Sequence, residues 1–61
     1  MMPKYIKILD NFGEKLVDTS ILIPHLECYL MKDNQLYFES TDGIEYLLGN
    51  VLDTYNTLEE I

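Results

Sequence analysis

The sequence predicts a small α+β domain: an antiparallel sheet of two β-hairpins, about four strands, with one C-terminal amphipathic helix packed on one face. Three observations predict it. Residues 5–40 hold short runs rich in β-branched and aromatic residues, separated by Asp, Asn, Gly and Pro. From Asp42 onward the apolar residues recur instead at steps of three and four. The chain is 61 residues long, enough for a single domain spanning 1–61.

Residues 5–9 (YIKIL) form the first expected strand, and Asp10-Asn11-Phe12-Gly13-Glu14 the turn after it, with Gly13 free to take a positive φ. Residues 16–23 (LVDTSILI) form the second, with Val17, Thr19, Ile21 and Ile23 on one face and Leu16 and Leu22 on the other. Pro24 lacks an N–H and stops that ladder. Residues 26–32 and 35–40 form a second hairpin around Asp33-Asn34, two residues that tolerate left-handed backbone. Its register pairs Met31 with Leu36 and Tyr29 with Phe38, and puts Cys28, Leu30, Tyr37 and Glu39 on the opposite face.

Residues 43–58 form the expected helix. Asp42 stands as N-cap with Glu45 three residues on, and Ile44, Leu48, Val51, Tyr55 and Leu58 make an apolar stripe flanked by Leu47 and Leu52. Gly49-Asn50 is the weak point of that helix, a place where it kinks or splits.

Net charge is −7, and it is unevenly laid out. Lys4, Lys7, Lys15 and Lys32 are balanced by four acids in the first 32 residues; the last 29 residues carry seven acids and no base. That layout argues against direct binding of nucleic acid or of an anionic membrane, since phosphate contacts need Lys or Arg. It suits a partner with a basic surface. No apolar run approaches a membrane span and no signal segment stands at the start, so the expected location is cytoplasmic. The absence of Ala, Arg and Trp and the abundance of Ile, Asn, Asp, Tyr and Lys point to an AT-rich genome, a low-GC bacterium or one of its phages.

The single cysteine, Cys28, cannot close an internal disulfide, and one His with one Cys is too few for a structural zinc site. His25 and Cys28 are three apart on a strand and face opposite sides, which makes a poor nucleophile–base pair. No phosphate-binding loop, HExxH or EF-hand pattern occurs. No catalytic residue, cofactor or metal is therefore expected.

What remains is surface for association. One helix covers one sheet face; the other face keeps Cys28, Leu30, Leu16 and Leu22, which become the expected dimer interface. Tyr37, Glu39, Glu45, Tyr46, Asp53 and Glu60 become the expected partner-binding set, tyrosine for its apolar body and polar tip. The expectation is a small acidic inhibitor or regulator that binds another protein as a homodimer, phage-encoded and acting on a host protein. A first alternative is a DNA mimic that blocks a nuclease, glycosylase or CRISPR effector. It rests on Glu45, Asp53 and Glu60 spaced along the helix by roughly 10–12 Å. A second is a ligand-binding or enzymatic site framed by two chains.

Overall fold

The computed structural model describes residues 2–21 and 26–61. Five strands and one short turn of 3-10 helix make up this part of the chain: β1 (Tyr5–Asp10), β2 (Gly13–Asp18), β3 (Leu26–Lys32), β4 (Gln35–Ser40), β5 (Glu45–Tyr55) and the 3-10 turn Leu58–Glu60. Every pairing is antiparallel, and one sheet carries them in the order β2-β1-β5-β4-β3. The architecture is an all-β sheet, so the α+β expectation with its C-terminal helix is overturned. No long helix exists among the described residues, and none is long and apolar enough to cross a membrane.

β5 lies where the helix was expected, and its composition explains why. Tyr46, Val51, Thr54 and Tyr55 favour strands, while Gly49 and Asn50 are poor helix formers. The helix-like spacing has a separate origin in two β-bulges. Tyr37 pairs with Leu47 and Leu36 with Gly49, which leaves Leu48 as an inserted residue. Lys7 pairs with Asp53 and Ile8 with Val51, which leaves Leu52 as a second. Each insertion moves the in-out alternation by one residue, so steps of two become steps of three. The expected capping box at Asp42 and Glu45 dissolves accordingly. Asp42 instead organises the reversal into β5: Ser40 Oγ donates to its carboxylate, as does Ile44 N–H at 3.3 Å, while Gly43 takes φ 87°.

The second hairpin matches its expected bounds and register: Met31 pairs with Leu36, Tyr29 with Phe38 and Leu30 with Tyr37. Its turn residues Asp33 and Asn34 both have positive φ, 53° and 61°, as a two-residue hairpin of primed type requires. The first hairpin differs from expectation in its second strand. β2 starts at Gly13, whose φ is 117°, and ends at Asp18, not at residue 23. Asp18 Oδ1 accepts the N–H of Ser20 at 2.9 Å and bends the chain away, and Thr19 hydrogen-bonds back to Pro3 and Lys4. Of Val17, Thr19 and Ile21, expected on one strand face, only Val17 remains in a strand; Leu22, Ile23, Pro24 and His25 lie outside the described residues.

The core is small. Ile6 and Ile8 of β1 and Leu36 of β4 are sealed, with 0%, 2% and 0% exposure, and Met2, Val17, Tyr29, Leu48 and Val51 pack against them. β1 and β4 are not neighbours; β5 runs between them. Their side chains join one cluster on the inner face of the twisted sheet, across β5. Gly49 leaves the room for it. A Cβ built there would lie 2.6 Å from the Leu9 carbonyl oxygen and 3.3 Å from Ile8 Cδ1. Only glycine lets β5 come so close to β1 between the two bulges.

Candidate functional site

The outer face of the sheet, opposite this core, gathers much of the expected partner-binding set. Residues paired across strands share a face, and their registers define three rows over β3, β4 and β5. One row runs Cys28–Glu39–Glu45, the next Leu30–Tyr37–Leu47, the third Lys32–Gln35–Asn50 and on to Leu9 of β1. Five expected residues therefore stand together: Cys28, Leu30, Tyr37, Glu39 and Glu45. They come from both the proposed dimer set and the proposed partner set, so the division between the two does not survive as geometry.

The other residues are dispersed. Tyr46 points to the opposite face, where its ring stacks on Phe38 with centroids 5.0 Å apart. Asp53 sits near the far end of β5 beside Lys7. Glu60 belongs to the 3-10 turn, where its carboxylate accepts the N–H groups of Asn56 and Thr57. Leu16 is on β2, four strand spacings from Leu30. Leu22 lies outside the described residues. The evenly spaced row of Glu45, Asp53 and Glu60 carboxylates depended on a helix and disappears with it.

Polar chemistry on the three rows is linked. Tyr37 Oη donates to Gln35 Oε1 at 2.9 Å, and Gln35 Nε2 donates to Asn50 Oδ1 at 3.1 Å. Lys32 Nζ stands 2.6 Å from Glu45 Oε1 and 5.1 Å from the Tyr37 ring centre. The hydrogen bond and charge of Glu45 raise the Lys32 ammonium above its ordinary pKa. Glu39 and Glu45 face each other directly, yet the one ammonium goes to Glu45. Like charges opposed across strands repel, and Glu39 has no cation within ion-pair reach among the described residues.

A notch opens at the edge of this face. It is a cavity of about 390 Å³ lined by Leu9, Asp10, Asn11, Gln35 and Leu47–Asn50. Its volume falls at the low end for small ligand sites, roughly 300–1,000 Å³. Leu9 and Leu47 form apolar walls with 43% and 56% exposure. Beyond Asn11 the tip of the β1–β2 hairpin carries Phe12, which is 93% exposed. Asp10 shapes that tip. Its Oδ2 lies 2.8 Å from Lys15 Nζ and its Oδ1 accepts Phe12 N–H at 2.7 Å, and these bonds hold the carboxyl below its ordinary pKa, Lys15 contributing most.

Sequence reasoning passed over Leu9, Phe12, Leu47, Gln35 and Asn50. Leu9 read as a strand end and Leu47 as the flank of a helix stripe. Phe12 did carry a signal: a hairpin tip is ordinarily small and polar, so a large aromatic there is out of place unless something covers it. Among the described residues no three of His, Cys, Asp and Glu converge as metal ligands do. Comparison of the chain with protein-family models, with curated proteins and with solved structures finds no match in any of the three.

Proposed function

We propose that this chain works by binding another protein, as a small regulator or inhibitor that assembles as a homodimer. One observation carries the reading. Among the described residues, eleven large hydrophobic side chains are exposed while four hydrophobic residues are buried. Scattered surface leucines are ordinary, but here the exposed set outnumbers the core and includes a phenylalanine at a hairpin tip. A core this small supplies about 3–5 kcal/mol, so association is also a source of stability. An interface of standard size takes roughly 800 Å² from each partner, against a total surface of 4424 Å². The acidic balance favours a target with a basic surface.

Light scattering on a size-exclusion column at tens of micromolar tests the reading. The expected mass is twice that of one chain, falling toward one chain when Leu16→Ser and Leu30→Ser, both from the expected dimer set and away from the notch, are combined. A monodisperse monomer that also fails to retain any protein from a low-GC bacterial lysate overturns it.

A further inference from the structure

The notch identifies the form of the partner, an inference that rests on the protein-binding reading above. β1 pairs with β5 only as far as Leu9 and Asn50. Past that point Glu45–Leu48 run on with β4 along one edge and no strand along the other among the described residues. The β1–β2 tip turns aside here because Asp10 pairs with Gly13 and folds Phe12 back through its carboxylate. The gap left behind is the cavity between Asp10, Asn11 and Leu47–Asn50. Four residues of strand span about 13 Å. A strand edge offers N–H and C=O groups at a fixed repeat that another extended backbone matches best.

Charge and composition then choose the occupant. Among the described residues, the face beside the edge carries Glu39 and Glu45 against Lys32, with no cation within ion-pair reach of Glu39. A second copy of this chain brings the wrong sign overall: its net charge is −7, and neither outer strand is net basic, β2 holding two acids and one lysine and β3 one of each. We propose that the free edge of Glu45–Leu48 takes an extended segment of a basic partner protein. The segment lies antiparallel to β5, in line with β1. One apolar side chain fills the notch between Leu9 and Leu47, and a lysine or arginine two residues on faces Glu45. Asn11 and Asn50 border the same opening.

The test uses the full chain labelled with nitrogen-15 and three synthetic peptides capped at both ends. The first is a seven-residue strand with valine at its second position, lysine at its fourth and sixth and threonine elsewhere, so that valine and lysine share one face; the second replaces lysine with glutamate, and the third is the lysine peptide N-methylated throughout. The lysine peptide is expected to shift the amide signals of Glu45–Leu48 and slow their exchange at concentrations up to about 1 mM. The glutamate and N-methylated peptides are expected to bind at least roughly tenfold more weakly. Leu47→Ser is expected to raise the dissociation constant roughly fivefold or more, and Glu45→Gln roughly threefold. Both positions are exposed, so melting curves establish that the variants remain folded. Equal binding by the N-methylated peptide removes strand addition, and equal binding by the glutamate peptide removes the basic partner. No response at Glu45–Leu48, or protection there that grows with protein concentration alone, overturns the proposal; the latter assigns the edge to a second copy. A dimer that persists in light scattering while the notch ignores all three peptides leaves the protein-binding reading standing and removes only this inference.

Discussion

The two halves of β5 do different work. Residues 50–55 pair with β1 and residues 45–50 with β4, and Asn50 is the one residue paired on both sides. The C-terminal half closes the sheet: Val51 opposes Ile8, Thr54 opposes Ile6, and Tyr55 opposes Tyr5, all beside the buried cluster. Among the described residues, the N-terminal half is open along the edge that faces the notch. A single strand that serves two neighbours in succession must change direction between them, and the bulges at Leu48 and Leu52 with Gly49 make that change. Core packing and open edge are thus divided along one strand by a joint.

Breaking the joint has the largest expected effect. In Gly49→Ala the new methyl meets the Leu9 carbonyl at 2.6 Å, which is backbone and cannot swing aside. Overpacking of this kind costs about 1–3 kcal/mol and occasionally more, in a domain whose whole stability is about 3–5 kcal/mol. Urea unfolding followed by circular dichroism should show most of the stability gone. A midpoint equal to that of the parent chain would mean that the two halves are not held at this point.

The joint also explains which parts of the fold were legible. The β3–β4 hairpin was readable to the residue because its information is local: two residues tolerant of positive φ, flanked by runs that alternate. β1 was readable for the same reason. β5 was not, because its pattern answers to two partners distant in sequence, and each bulge inserted for their sake turned a strand's spacing into a helix's. Gly49-Asn50 nevertheless marked the place as the weak point of a helix, and it is where the strand bends. The end of β2 was overrun since LVDTSILI reads as one apolar run unless Asp18 is credited with turning the chain through Ser20. Within the candidate site, the shared face of Cys28, Leu30, Tyr37 and Glu39 followed from alternation alone. Leu9 and Leu47 required the tertiary pairing that brings β1 beside β5.

Next in size are the core truncations, which ask whether the two halves stand or fall together. Leu36→Ala removes packing under the N-terminal half and Ile6→Ala under the C-terminal half. Each is expected to cost about 2–4 kcal/mol, because both side chains are sealed in one cluster. Hydrogen exchange should show protection falling across all of β5 in both variants. Loss confined to residues 45–50 in Leu36→Ala would split the strand into two independent units.

Acid should loosen the turns before the strands. Asp10, Asp18 and Asp42 each hold a reversal by accepting the N–H two residues on, and each carboxyl lies below its ordinary pKa of 3.8. For Asp10 the main cause is Lys15, for Asp18 the Ser20 hydroxyl, for Asp42 the Ser40 hydroxyl. A carboxyl depressed in the folded state contributes stability above pH 3.8, and that contribution is lost as pH falls through the lowered value. The melting temperature should therefore drop between pH 5 and the acid limit, about as linkage of a few carboxylates dictates. The triple change Asp10→Asn, Asp18→Asn, Asp42→Asn should flatten that limb. An unchanged acid limb would show that these turns do not sense pH.

The smallest effect belongs to the ion pair on the open half. Lys32 and Glu45 are both exposed, and water screens most of their attraction. Glu45 raises the Lys32 pKa, so whatever stability the pair contributes is present below pH 10.5 and is lost as pH rises through the raised value. Lys32→Met should leave the melting temperature at neutral pH within measurement error and remove any alkaline dependence that the pair adds. Its consequence should instead fall on binding. With the ammonium gone, Glu39 and Glu45 face each other unneutralised, and attraction for a cationic segment at the notch should strengthen, most clearly at low salt. A variant that melts lower yet binds the lysine peptide no better would place Lys32 with the closed half of β5, as a brace and not as a competitor for the site.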